Sequence, residues 1–235
     1  MFHTHTYLIK MSLDTIINFA DVPVFQKENL VLSDVTFSID KGEFLYIIGK
    51  TGSGKSSLLK TIYAELPVSA GTAEVAGYDL RTIKKKEVPF LRRKLGIIFQ
   101  DFQLLTDRTV FDNLLFIMKA TGWKDKNKIQ ERIQDVLDKC ELGTKGFKMP
   151  HELSGGEQQR LGIARALIND PEVVLADEPT GNLDPESSHG IMELLFNISE
   201  SGRAVIMATH DYSLFQFFKA RTLVCEDGKL VSSLS

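Results

Sequence analysis

Three short stretches of this chain carry residues whose types and spacing suit phosphate chemistry. The first is Gly49-Lys50-Thr51-Gly52-Ser53-Gly54-Lys55-Ser56, a G-x-x-x-x-G-K-S pattern. Small residues let a backbone wrap closely, so that its N–H groups converge on phosphate oxygens. A helix opening at the end of the loop adds the partial positive charge of its N-terminus. Lys55 brings a full charge to the outer phosphates, and the hydroxyl of Ser56 suits a magnesium ion. Ser57 completes the candidate phosphate contacts. The second stretch is Val173-Val174-Leu175-Ala176-Asp177-Glu178, an apolar run ending in two carboxylates. Successive side chains of an extended chain point to opposite faces, so the pair can divide its work. Asp177 suits the coordination shell of the metal, and Glu178 suits the polarising of an attacking water. The third stretch, Leu153-Ser154-Gly155-Gly156-Glu157, puts a hydroxyl and bare backbone N–H groups at the start of a helix. It is a second anion-ready site in a chain that already has one. That redundancy makes sense if two chains share nucleotides.

These groups need elements to hold them. Short apolar runs alternate with amphipathic stretches, which implies an α/β fold. Strands are expected at Thr15–Phe19, Val31–Ile39 and Phe44–Ile48, and a helix from Lys55 to about Ala64. Further strands are expected at Thr72–Val75, Leu95–Phe99, Val173–Ala176, Ala204–Ala208 and Thr222–Cys225. Helices are expected at Gly155–Leu167, Pro185–Ser199 and Tyr212–Phe218. Between about 110 and 140 the pattern turns helical, so an α/β body spanning 14–235 carries a helical insert near 101–168. Residues 1–13 read as a flexible leader, with Met11 as a possible start.

Composition narrows the function. Lys and Arg total 28 against 31 Asp and Glu, a net charge of −3, which excludes a generally basic nucleic-acid binder. The runs Lys84-Lys85-Lys86 and Arg92-Arg93-Lys94 therefore read as solvated faces. No run approaches the ~18 apolar residues that span a bilayer, so membrane association has to come through a partner. Cys140 and Cys225 form no CxxC pair, which points to a reduced compartment and buried thiols rather than zinc.

Together the three stretches resemble the ATP-binding cassette (ABC) ATPases. The phosphate loop resembles their Walker A motif, Val173–Asp177 the Walker B strand, and Leu153–Glu157 the signature, usually LSGGQ and here LSGGE. The resemblance implies a P-loop NTPase fold with an N-terminal antiparallel β region, a RecA-like core and an α-helical signature subdomain. It implies ATP and Mg²⁺ as ligands, with Ser56, Gln100 and Asp177 around the metal. By the same resemblance Glu178, His210 and Gln100 are the catalytic group. Phe25 stacks on adenine, and Asp184 is the D-loop aspartate. Ser154, Gly155, Gly156 and Glu157 meet the nucleotide of a second copy, making a homodimer with ATP sandwiched at its interface.

The stretches Glu87–Gly96, Phe99–Asp101 and Leu104–Asn113 are similar to the cell-division branch of that family. That similarity implies an ATPase on the cytoplasmic face of the plasma membrane, held there by an integral membrane, permease-like partner, and regulating peptidoglycan hydrolysis. Phe102, Leu104 and Leu105 are candidates to line the partner's groove. The alternative within the family is an ATPase powering lipoprotein release or macrolide efflux.

Overall fold

The computed structural model describes residues 14–232. The expected leader, 1–13, lies outside the described residues. Ten strands form one sheet: β1 Thr15–Gln26, β2 Asn29–Asp40, β3 Phe44–Ile48, β4 Thr72–Val75, β5 Tyr78–Asp79, β6 Leu95–Ile98, β7 Val173–Asp177, β8 Ala204–Thr209, β9 Arg221–Glu226 and β10 Lys229–Ser232. Their order is β5-β4-β1-β2-β10-β9-β3-β8-β7-β6. The first four strands pair antiparallel, whereas β9, β3, β8, β7 and β6 run parallel. The seam is β10, antiparallel to β9 and touching β2 in parallel where Lys229 meets Ser33.

The parallel strands are covered on both faces, and their sequences explain how. In β3, Leu45 and Ile47 join one apolar cluster, with β1, β2 and helix α1 (Lys55–Ile62), while Phe44, Tyr46 and Ile48 join another. The same alternation divides Val173 and Leu175 from Val174 and Ala176 in β7, and Ala204, Ile206 and Ala208 from Val205 and Met207 in β8. The second cluster is completed by α3 (Val110–Ala120), α4 (Lys126–Lys139), α5 (Gly155–Leu167) and α6 (Pro185–Glu200). The short α2 (Val88–Arg93) precedes β6. Strands β6 and β7 are parallel neighbours, and α3, α4 and α5 lie in the chain that crosses between them.

Several boundaries differ from expectation. Strand β1 runs on past Phe19 because Asp21 adopts a left-handed conformation (φ 54°), and its N–H bonds Thr36 Oγ1 while pairing with β2 resumes at Val22. A bulge of this kind breaks the alternation without ending the strand. The segment 212–218 forms only a 3₁₀ turn at Ser213–Gln216. It lies in a crossover of eleven residues, 210–220, whose Phe215 and Phe218 rings are drawn onto Tyr46 and Phe196. Strand β10 was not expected. It follows a turn with Asp227 and Gly228 both at positive φ, the conformation that suits a tight hairpin.

Candidate nucleotide site

The site gathers where strands β3, β7 and β8 end. Strand β3 delivers the chain into the phosphate loop, whose outer residues Lys50, Thr51 and Gly52 are exposed. Gly54 is buried at φ 106°, and a Cβ there would lie 2.7 Å from Val31 Cγ1 and 3.0 Å from Leu32 Cγ. Only glycine lets the loop press so closely on the β1–β2 hairpin. That hairpin carries Phe25, the adenine candidate, half-buried and paired with Leu30.

Lys55 opens α1 and is 4% exposed. Its ammonium donates to the carbonyls of Gly49 at 2.8 Å and Lys50 at 3.3 Å, and sits 3.4 Å from Glu178 Oε1. Ser57 turns its carbonyl to Thr61 Oγ1, within the same helix. Behind the loop lies Cys225, whose carbonyl would be 2.5 Å from a Cβ on Gly49. Both cysteines are buried free thiols, and burial pushes Cys140 up to about 12 and Cys225 up to about 11.

Strand β7 ends at Asp177, so the two carboxylates are parted by a left-handed turn at Glu178 rather than by strand alternation. Burial raises the Asp177 carboxyl, against a hydrogen bond from Ser56 and the nearby charge of Lys55, with Glu178 pushing in the same direction as burial. Asp177 Oδ1 is buried with no hydrogen-bond partner among the described residues. An orphaned carboxylate oxygen beside a serine hydroxyl is the donor set a hard divalent cation takes. These residues therefore fit magnesium.

Glu178 takes the left-handed conformation at φ 50°, held by its N–H to Ala208 O at 2.9 Å and by the N–H of Gly181 to its carbonyl at 3.1 Å. For a non-glycine residue that conformation stores strain, and it recurs at working sites. The turn brings Glu178 Oε2 within 2.8 Å of His210 Nδ1, and it also accepts the His210 N–H at 3.3 Å. Lys55, Glu178 and His210 thus form one chain of contacts, with Asp177 and Ser56 alongside.

Gln100 follows β6 and is exposed. Its backbone carbonyl accepts from Asn182 Nδ2 at 3.2 Å, and its amide nitrogen would be 3.1 Å from a Cβ on Gly181. Asp184 caps α6, with Oδ1 accepting from Ser187 N at 2.9 Å, and the Ser187 hydroxyl and amide hold its carboxyl below the usual range. Ser154 caps α5 in a reciprocal box. Its Oγ accepts from Glu157 N at 3.3 Å, and Glu157 Oε2 accepts from Ser154 N at 2.9 Å. Gly155 and Gly156 leave room for the Asp184 loop. A Cβ on Gly156 would be 2.8 Å from Ser187 Oγ, and one on Gly155 would be 3.5 Å from Leu183. The signature helix start and the Asp184 loop therefore pack as one unit, and through Asn182 that unit reaches Gln100.

The sequence reading missed Asn182, which joins the Gln100 and Asp184 loops, and Lys145, which pairs with Glu157. Neither residue stands in a periodic pattern or next to its partner, so a single sequence offered no signal for either contact.

The family model for the ABC transporter matches residues 32–181, from the second strand through the Glu178 turn. The chain belongs to the ABC transporter family. It is an ATPase of that family. The cell division ATP-binding protein FtsE of Escherichia coli K12 is 48% identical over 202 residues, covering 85% of this chain and 89% of its own. The FtsE of Streptococcus pneumoniae D39 is 43% identical over 210 residues, covering 89% of this chain and 91% of its own. The dimeric, post-hydrolysis structure of the cassette MJ0796 bound to ADP and Pi superposes with a TM-score of 0.78 at 32% identity, covering 92% of this chain and 96% of that one.

One prediction follows from Asp177. Burial raises its pKa in the fold, so stability from the protonated form is present at acid pH. It is lost as pH rises through the raised value. Asp177→Asn removes that loss. In thermal melts without nucleotide at pH 7 the variant is expected to unfold a few degrees above the parent, with the difference shrinking toward acid pH, while MgATP turnover is lost. A melting point at or below the parental one at pH 7 would contradict this account of the site's electrostatics.

Proposed function

We propose that this chain is the ATP-hydrolysing subunit of an FtsE/FtsX-type complex that regulates peptidoglycan hydrolysis in cell division. The observation that carries the hydrolytic part is the contact chain Lys55–Glu178–His210 beside Asp177. The cell-division part rests on the identity with FtsE over most of both chains.

The loop amides, Lys55, Ser56 and Ser57 hold the phosphates, and Phe25 takes adenine. Ser56 and Asp177, with Gln100, would hold Mg²⁺, which would supply charge neutralisation for the outer phosphates. Glu178 polarises the water, and His210, fixed by its bond to Glu178, faces the γ-phosphate. Two copies pack head to tail as an isologous dimer, so the helix start at Ser154, Gly155, Gly156 and Glu157 of each meets the nucleotide of the other. Asp184, packed behind that helix start, is part of the same face. Support comes from the two phosphate-ready helix starts in one chain and from the dimeric MJ0796 structure.

We assign the docking of the membrane partner to a groove beside the helical insert. A groove of about 420 Å³ is lined by Phe99, Phe102, Arg93, Arg165 and Asn169 among others. Of the three expected lining residues, Phe102 is there. Leu104 packs on the second apolar cluster, and the Leu105 N–H bonds Asn113 Oδ1 at 2.9 Å. A short cytoplasmic helix of an FtsX-type partner fits this groove. Among the described residues no helix is long and apolar enough to cross a membrane. By its likeness to FtsE we place the chain at the cytoplasmic face as a peripheral subunit. Cell fractionation tests the reading: the chain is expected in the membrane fraction when its permease-like partner is present and to be lost from it when the partner is deleted. Equal membrane recovery in both strains would overturn it.

A further inference from the structure

Glu157 puts a formal negative charge at the helix start that, in the dimer proposed above, receives the partner's γ-phosphate. A helix N-terminus carries roughly half a positive charge, so a bare carboxylate at its third position would reverse the sign facing the nucleotide. The structure supplies a counter-charge. Lys145 Nζ contacts Glu157 Oε1, while Glu157 Oε2 is occupied by the Ser154 N–H. Both side chains are largely covered, at 30% and 25% exposure, so solvent screens the pair only in part. The Lys145 bond, ahead of the Ser154 amide, holds the Glu157 carboxyl below its usual range.

We propose that Lys145 is a positioning residue of the shared nucleotide site, cancelling the charge of Glu157 so that the start of α5 accepts a phosphate from a second copy. The inference rests on the sandwich dimer. The loop that carries Lys145 is held by other means. Lys145 N bonds Leu142 O at 2.8 Å, and the first amides of α3, Phe111 and Val110, bond Gly146 O at 2.9 Å and Lys148 O at 2.8 Å. Removing the ammonium thus leaves the loop anchored. A glutamine at position 157 also keeps the reciprocal cap with Ser154, since either residue type forms that box. The charge can therefore be altered on either side without dismantling the helix start.

The test is a double-mutant cycle on MgATP-driven dimerisation, read by sedimentation velocity in the full chain carrying Glu178→Gln to slow turnover. MgATP binding to the monomer checks that each variant is folded. Lys145→Met is expected to raise the dimer dissociation constant roughly tenfold, and the same change in the Glu157→Gln chain to shift it by less than about twofold. Lys145→Arg, which keeps the charge, is expected to retain dimerisation. Should Lys145→Met fail to bind MgATP as a monomer, Lys145→Gln is read in the same cycle. An equal loss in both backgrounds would overturn the proposal, making Lys145 a structural anchor or a direct phosphate ligand, and so would no loss in either. Ser154→Arg separates the two levels. If that chain still dimerises with MgATP, the sandwich itself is wrong. If it does not, while the effect of Lys145 ignores residue 157, only the present inference fails.

Discussion

Lys55→Ala is expected to lower ATP turnover by about a hundred- to a thousandfold and to weaken MgATP binding by roughly ten- to a hundredfold. Lys55 is the buried positive charge of the phosphate loop, Lys50 being exposed, and its ammonium is already aimed by two backbone carbonyls. A preorganised cation of this kind acts on ground-state phosphates and on the charge that develops at transfer, and single donors to such charge are worth about 10²–10³ in rate. Alanine also frees Glu178 from its lysine contact at 3.4 Å, so the carboxylate turns wholly to His210. Circular dichroism should be unchanged, because the second turn of α1 remains packed through Leu58, Leu59 and Ile62. Calorimetric titration with MgATP and a phosphate-release assay check both parts. Parental binding with parental turnover would remove Lys55 from the site.

Glu178→Gln should behave in the opposite way toward binding. The amide is nearly isosteric and leaves Lys55, Ser56 and Asp177 untouched, so MgATP binding should stay within a few-fold of the parent. Turnover should fall by about 10²–10⁴, the usual contribution of a general base. The contact geometry adds a constraint. Glu178 Oε2 accepts both from the His210 N–H and, in one tautomer, from its ring, so a glutamine can satisfy these only by presenting its oxygen to His210 and its NH₂ toward Lys55. That arrangement sets two donors against each other. The imidazole is therefore expected to loosen, visible as a broadened His210 resonance by NMR. Phosphate release at the parental rate would show that another group activates the water.

The two variants probe residues whose identity was legible in the chain and whose arrangement was not. The phosphate loop announces itself because strand, loop and helix are contiguous, so local spacing carries the whole device. The two carboxylates at the end of β7 are likewise adjacent in sequence, so their identity is local, although Glu178 lies just past the strand. Ser154 was readable as a helix-start residue for the same reason, since a cap bonds an amide only three residues on, whereas Asp184, named only through the family resemblance, proves to cap α6 in the same way. The left-handed turn at Glu178 was hidden. Its conformation is imposed by Ala208, thirty residues away on β8, and nothing beside Glu178 in the sequence requires it. The same limit hid the link from Asn182 to Gln100 across 82 positions. In the fold, β1 was read too short because the bulge at Asp21 interrupts the very alternation by which a strand is recognised. The expected helix at 212–218 failed for a different reason. Its aromatic spacing serves the packing of Phe215 on Tyr46 and of Phe218 on Phe196, in the second apolar cluster, rather than one face of a full helix.

In the proposed dimer each nucleotide is completed by two copies of the chain. Sedimentation velocity on the parent and on Ser154→Arg, with MgATP and a phosphate-release assay on the same samples, tests it most directly. Arginine at position 154 leaves the phosphate loop of its own chain intact, so monomeric MgATP binding should be nearly unchanged. Its bulk would close the face offered to the partner's γ-phosphate, so dimerisation and turnover should both be lost. A Ser154→Arg chain that sediments as a monomer and hydrolyses ATP at the parental rate would contradict the claim and leave a self-contained phosphate-loop enzyme.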